Sequence, residues 1–384
     1  MSGGSAEAGS RAVAAAILAD VAAALVIVVQ PVFVEGLARH AGLGDAAAGY
    51  ILSIEMTAFA AATIAMALVS ARLRWRPLLA AALVTMIVAN LASAPLIGTP
   101  VFVPLRLLAG AAAGVIVPLA FAAVGMSRRP ERGFGIMIAS VLSYGALVLA
   151  LAPILLVRFG LTGLLVTFAV QSAIALLMIG AFPDPSRSEA GRVVRERRTR
   201  RRFEILALVA MTSYFAAQSS FWAYASLVGA QLGLDSPSIG RALAASQFAG
   251  VLGAAVPALA AVRFGQVPPL LVGMLCGILP LAVLAPGLSA GAFIVILSVF
   301  QFGWNMTHPY LLGVFSRFDR SGQVVIYGTA MQKIGLAIGP AAAAAVVGAG
   351  DLLRVVTLSM VFCAAALVLV LPAARAQRGF SNVE

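Results

Sequence analysis

Twelve apolar runs follow one another along this 384-residue chain, with breaks between them too short to hold a soluble domain. They cover 12–34, 46–70, 77–97, 102–124, 134–157, 161–182, 203–228, 238–262, 267–286, 291–315, 324–347 and 352–372. Each matches the length of about 20 residues that a helix needs to cross a hydrocarbon core of roughly 30 Å. In that medium a backbone amide finds no water, so the spanning segments must be helices that satisfy their own hydrogen bonds. A single such run can be the core helix of a large soluble protein; twelve in succession cannot. The chain is 62% hydrophobic and 10% charged, against about 25% charged in soluble domains. The expected fold is an all-α integral membrane protein of twelve spans. The first run lacks a cleavage-site pattern and reads as a span, not a signal peptide.

The basic residues fix the orientation. Twenty of the 26 lie in one alternating set of breaks, including Arg11, Arg72, Arg74, Arg76, Arg128, Arg129, Arg132, Arg263, Arg317, Arg320, Arg375 and Arg378. The other set holds only Arg39, Arg158, Arg241 and Arg354. Cytoplasmic loops carry the Lys/Arg excess, so both termini are expected in the cytoplasm and the protein in the inner (plasma) membrane of a bacterium. The net charge of +12 then reflects topology and contact with anionic lipid headgroups, not nucleic-acid binding. Twelve spans need no second copy to enclose a path, so a monomer is expected. Cys276 and Cys363 sit in apolar runs without nearby His or Cys and read as small core residues.

The one long hydrophilic stretch, Pro183 to Arg202, contains eight Arg and divides the spans six and six. The expected organisation is therefore a six-helix bundle over 1–182, a cytoplasmic linker over 183–202 and a second six-helix bundle over 203–384. The halves echo each other: Gly49 and Gly240 open the second span of each, Pro153 and Pro340 recur, and Arg72 and Arg263 follow the second spans. Repeated six-span halves are a common transporter plan, with the substrate site near the midplane.

The segments SARLRWRPLL after span 2, PLRLLAGAAAG opening span 4, RFGQVPP after span 8 and FGLTGLL after span 5 together resemble the major facilitator superfamily over nearly the whole chain. The resemblance implies two pseudo-symmetric six-helix bundles and transport by alternating access. It also places Arg106 and Gly110 where the family has its span-4 Arg and Gly, which implies a part for Arg106 in substrate binding or proton relay. Ser70 and Ala71 stand where the family's loop acid is expected, and span 5 keeps Pro153 without the glycines of the antiporter signature. GLAIGP (Gly335 to Pro340) in span 11 has the GxxxGP form.

Ionisable groups inside spans cost about 2.5–3.5 kcal/mol at the helix centre on insertion scales and usually face a cavity. Here they are Asp20, Glu35, Glu55, Arg106, His308 and Lys333. At 1.5 Å per residue, Asp20, His308 and Lys333 lie roughly 10–14 Å from the cytoplasmic helix ends and Glu55 about 14 Å from the outer end. Lys333, the single lysine, is too deep to snorkel. It reads as a cationic anchor for an acidic substrate, a titrating site, or an ion-pair partner of Asp20 or Glu55. Asp20 and Glu55 are the proton-coupling candidates, with simple pairing to Arg106 or Lys333 as the alternative.

In span 10, Gln301, Trp304, Asn305 and His308 follow i, i+3, i+4, i+7 and share a helical face. Interhelical hydrogen bonding accounts for such a stripe; so does a pocket for a small molecule. Pro309 follows His308, and a kink there is expected to free nearby carbonyls. Span 7 offers Tyr214, Gln218, Phe221 and Trp222 at similar spacing, with Gln247 and Tyr327 as weaker members. No HExxH, GxSxG or phosphate-cradling motif is present, so neither an enzyme nor a cofactor is expected. The partners implied are a small-molecule substrate, protons and the bilayer. The reading is a secondary transporter for a small organic anion, aromatic or otherwise; the alternative is a proton-driven exporter of lipophilic compounds.

Overall fold

The structure is a computed structural model that describes residues 9–69, 73–127, 130–183, 201–260, 267–316, 323–347 and 351–376. Its helices are α1 (Ser10–Val28), α2 (Gln30–Glu35), α3 (Asp45–Val69), α4 (Trp75–Ser93), α5 (Phe102–Gly125), α6 (Pro130–Leu177), α7 (Arg201–Gln231), α8 (Ser236–Ala260), α9 (Val267–Ile278), α10 (Ala290–Ser316), α11 (Gln323–Val347) and α12 (Leu353–Ala376). Among the described residues ten helices are long and apolar enough to cross a membrane. The α6 helix holds two of the expected spans, joined at Gly160, whose φ of 59° and ψ of −155° reverse the chain. Glycine alone adopts such angles without strain. With the shorter apolar stretch Val267–Val283, the twelve crossings read from the sequence are all helical. Most of the linker read over 183–202 lies outside the described residues.

Two spans differ in detail from their apolar runs. The first is longer: α1 ends at Val28, α2 resumes at Gln30, and a π-helical turn continues over Gly36–His40. Pro31 has no N–H to give the carbonyl four residues earlier, so the helical ladder is interrupted one turn before it. The ninth span is shorter, with α9 ending at Ile278 and a 3-10 turn at Leu281–Val283. Pro280 disfavours helical angles at the residue before it and so stops the helix.

Two compact units are formed. One comprises Met1–Val29, Ile54–Gly145 and Ile154–Arg192; the other comprises Gln30–Ser53, Ala146–Pro153 and Val193–Glu384. Spans 1, 2 and 5 are thus each divided between the units. In the first unit α5 is central, packed on α1 and α4. Its Gly110 and Gly114 lie against the Glu55 and Phe59 carbonyls of α3, where a Cβ would collide with backbone. The Thr63 hydroxyl closes the same seam by donating to the Gly114 carbonyl at 3.3 Å. At the far end, Arg76 Nε donates to the Phe182 carbonyl and ties the start of α4 to the end of the sixth span.

In the second unit α7 is central, packed on α11 and α12, while α10 packs on α8 and α9. Gly335 and Gly339, the pair in GLAIGP, let α11 touch the backbone of α7 at Thr212 and Ala216. Residues 30–53 join this unit through polar bonds. Ser226 Oγ donates to Glu35 Oε2, Tyr224 Oη donates to the Asp45 carbonyl at 2.8 Å, and Ser53 Oγ donates to the Ala337 carbonyl at 2.7 Å. The two glycines that mark the internal repeat are both contact points here. Gly49 lies under the Tyr224 hydroxyl and Gly240 against Pro153.

Gly110→Val is expected to lower the stability of the first unit by the overpacking cost of about 1–3 kcal/mol, because its nearest obstacle is the Glu55 backbone. Gly291→Val, at a site with nothing within 4 Å, serves as the control. Thermal unfolding of the two purified variants checks the contrast; equal melting temperatures would contradict the close approach of α3 and α5.

Candidate functional site

In the second unit the polar stripe of α10 faces α7 and α11. Gln301 is buried, Trp304, Asn305 and His308 are half-buried, and the Asn305 amide donates to the Gln301 carbonyl at 3.0 Å. The α10 helix continues through Pro309 to Ser316. Proline still cannot donate to the carbonyl of Asn305, so that acceptor is released from the helical ladder.

The partner on α7 is Phe215. Its ring meets the His308 imidazole edge-on at 5.0 Å between centroids and Trp304 at 6.4 Å, and Trp304 also leans on Phe300 at 6.2 Å. From α11, Gln332 and Lys333 both lie near enough to act on the His308 imidazole. Lys333 is half-buried. The His308 Nε2 is buried and has no hydrogen-bond partner among the described residues. Helices α10 and α11 therefore bring an ammonium, an imidazole and three amides to one region of the second unit, where the imidazole packs on the Phe215 ring of α7. Such a set offers charge-assisted donors to an anionic group and apolar walls to the body that carries it.

Phe215 was not among the residues singled out by spacing, because it lies one position off the Tyr214–Gln218 stripe. A second face, Thr212–Phe215–Ser219, was the signal available: it is the face that the small-residue pair Gly335 and Gly339 can approach. The Thr212 and Ser219 hydroxyls reach the Met331 and Gly335 carbonyls at 3.4 and 3.3 Å.

The expected span-7 stripe faces elsewhere. Tyr214, Gln218 and Trp222 are fully buried. Tyr214 Oη donates to the Gly303 carbonyl at 3.3 Å, Gln218 lies beside Gly277 and Cys363, and Phe221 packs on Phe300 at 4.9 Å. Tyr214 touches the site only through its edge-on contact with Phe215 at 5.6 Å. Tyr327 is exposed; six residues before Lys333, it lies about 120° away around α11 at 3.6 residues per turn. Gln247 is buried, its amide turned back to the Leu243 carbonyl at 3.4 Å. Of the ten residues read as substrate contacts, the structure thus gathers Gln301, Trp304, Asn305, His308 and Lys333.

Arg106 belongs to the first unit and is wholly buried. Its Nη1 donates to Asn90 Oδ1 at 3.0 Å, and its Nη2 to Ser93 Oγ at 2.7 Å and the Ala89 carbonyl at 3.2 Å. Ser93 gives its own proton to that same carbonyl at 2.6 Å, which turns its lone pairs to the guanidinium. The Phe102 ring lies 5.6 Å from the guanidinium carbon, within cation–π range. Glu55 completes the shell as an ion pair at 3.7 Å, beyond hydrogen-bond length. Its second oxygen, Oε2, is buried without a hydrogen-bond partner among the described residues. Arg106 is therefore held by α4 independently of Glu55, and only its buried Nε is left without a partner. The pairing weighed for Glu55 is the arrangement found. Asp20 is also buried in this unit, on α1.

Removing the charge from each partner is expected to have unequal effects. Arg106→Leu strands Glu55 and the α4 acceptors, a loss of about 3–5 kcal/mol by the usual cost of breaking a buried pair. Glu55→Gln leaves the α4 bonds of Arg106 in place and costs less. Melting temperatures of the two variants test the order; the reverse order would contradict it.

The sequence matches the family model described as Major Facilitator Superfamily over residues 13–340. Among curated proteins none matches. The fold is similar to those of many solved structures, among them two transporters. One is a D-xylose-proton symporter, 14% identical, with a TM-score of 0.71 over 94% of this chain and 96% of the other. The second is the nucleoside transporter NupG in a mutant form, 13% identical, with a TM-score of 0.75 over 96% and 100%. The family match spans most of the chain and agrees with the twelve helical crossings, so the protein belongs to the major facilitator superfamily, a membrane transporter and not an enzyme.

Proposed function

We propose that this chain is a proton-coupled secondary transporter of a small organic anion, moved by alternating access between six-span bundles over 1–182 and 203–384. It works as a monomer in a bacterial inner membrane, with both termini and the 183–202 linker in the cytoplasm. The observation that carries the substrate class is the placement of Lys333 beside His308. Two basic side chains this close within an apolar medium are favourable when an anion lies against them. Lys333 anchors the anionic group, His308 and Asn305 orient it, and Trp304 and Phe215 hold an aromatic or apolar body. Tyr214 backs Phe215.

Proton coupling falls to Glu55 and Asp20 in the first unit. Glu55 has one buried oxygen without a hydrogen-bond partner, and Arg106 beside it keeps its place through α4 when the carboxyl gains a proton. Asp20 shares the burial. A proton symporter of like fold is consistent with that coupling. The same two acids favour a second reading, a proton-driven exporter in which they bind lipophilic cations.

Thermal-shift measurements of the purified protein against organic acids, amines and lipophilic cations, at two pH values, separate these readings. Stabilisation by acids alone supports anion transport; stabilisation by lipophilic cations alone supports export. Lys333→Ala is expected to weaken acid binding by at least about tenfold, the worth of one charge-assisted hydrogen bond, and to abolish uptake in proteoliposomes. Near-normal uptake by that variant would sink the anchor role.

A further inference from the structure

Residues 30–53 group by contact with the second unit, whereas Val29 before them and Ile54 after them belong to the first. At Val29 the backbone has left helical angles, with φ −96° and ψ 16°, and Pro31 has no N–H to give the Ile27 carbonyl. A bend at that point therefore disturbs few helical hydrogen bonds. The turn before α3 holds Gly42 and Gly44 at φ of 70° and 83°, angles that glycine enters freely. The segment is a strap laid on α7 and α11, jointed at its first end.

Side-chain hydrogen bonds fasten the strap. Ser53 Oγ and Tyr224 Oη donate to backbone carbonyls, those of Ala337 and Asp45, and such acceptors do not titrate at physiological pH. Ser226 Oγ donates instead to a carboxyl oxygen, Glu35 Oε2. Ser226 is buried, while Glu35 is half-buried and lies one turn before the exposed Arg39 and His40. A hydrogen bond to an ionised carboxylate is roughly twice as strong as a neutral one, so a proton gained by Glu35 weakens this fastening and spares the other two. The other ionisable groups on the elements packed here are Tyr224 on α7, Arg39 and His40 on the π-helical turn, and Asp45 and Tyr50 at the start of α3. Arg39 pairs with Asp45 at 3.6 Å, and Tyr224 is committed to the Asp45 carbonyl. Beyond the end of α7, Asp351 and Arg354 pair with each other at 3.5 Å.

We propose that Glu35 and Ser226 form a pH-sensitive latch that fastens residues 30–53 to α7. The ionised carboxylate holds the strap and the protonated carboxyl lets it go, so the strap is fastened at neutral pH and freed in acid. The proton comes from solvent and stays on Glu35; Ser226 keeps its own. Gly49 makes the fastened position possible, because a Cβ there would collide with the Tyr224 hydroxyl. This role is separate from the residues around Lys333 and holds whichever solute is carried.

Labelling of a cysteine beneath the strap tests the latch. Ala344 of α11 is buried, and its Cβ lies 3.0 Å from where Gly49 would carry one, so Ala344→Cys reports lifting of the strap. With Cys276→Ala and Cys363→Ala as background, the full chain in lipid nanodiscs is reacted with a water-soluble maleimide at neutral and acidic pH. Rates are normalised to the unfolded chain in SDS at the same pH, which removes the titration of the thiol itself. With Glu35 intact, labelling is expected to be slow at neutral pH and about tenfold faster in acid, the worth of one charge-assisted hydrogen bond. Glu35→Gln, which copies the protonated carboxyl, is expected to label fast at both pH values, and Ser226→Ala likewise. Equal rates at the two pH values with Glu35 intact overturn the proposal, as does slow labelling of Glu35→Gln at neutral pH. A pH dependence that persists in Glu35→Gln moves the switch to another group and overturns it too. The comparison with Glu35 intact decides the matter if the Glu35 and Ser226 variants fail to fold.

Discussion

Lipid chains are as apolar as leucine, so these helices gain little by leaving lipid for one another except where their backbones come close. Glycine makes that approach possible, and the internal architecture of both units depends on it. Gly110 and Gly114 seat α5 on the carbonyls of α3, Gly335 and Gly339 seat α11 on α7, and Gly253 seats α8 on the Phe302 carbonyl of α10. Each contact brings side chains from neighbouring helices within reach of one another. Glu55 stands beside Arg106 because Gly110 has no Cβ to hold α3 away. Lys333 and Gln332 reach His308 because the next turns of α11 are pressed on α7 at Gly335.

The second constraint is polar. Charges inside the hydrocarbon must be met by protein or by water, and the two units meet theirs differently. In the first, α4 supplies three acceptors to one guanidinium, and Ser93 orients itself to do so. The result is a fixed cation beside a carboxyl that is less fully bound. In the second unit the His308 imidazole is half-buried against the Phe215 ring, with Lys333 half-buried near it on α11.

The sequence carried the fold with little loss, because span length, loop charge and the spacing of apolar runs are local properties. The departures at Val29 and Ile278 both trace to prolines, Pro31 and Pro280, that are visible in the chain. The candidate site, as proposed, was suggested by the sequence on α10, where a single helix carries the stripe, and at Lys333, where depth alone made the residue exceptional. It was less legible on α7. Periodicity shows which residues share a face, yet not which neighbour that face meets, so Tyr214, Gln218 and Trp222 were grouped with the α10 stripe although they are buried on another face. Tyr327 failed for a related reason: counting along the axis fixes depth, while angle around the helix decides contact.

The α7 helix resolves these differences. One of its faces, Thr212, Phe215 and Ser219, meets α11 and the candidate site; another, Tyr214, Gln218 and Phe221, meets α9, α10 and α12. Towards its C-terminal end Tyr224 and Ser226 are bonded to Asp45 and Glu35. A helix engaged on several sides cannot shift against one neighbour without disturbing the others. Movement at the Glu35 and Asp45 contacts is thereby mechanically linked to the position of Phe215, one rigid helix away. The candidate site and the contacts to Glu35 and Asp45 thus lie on a single length of helix.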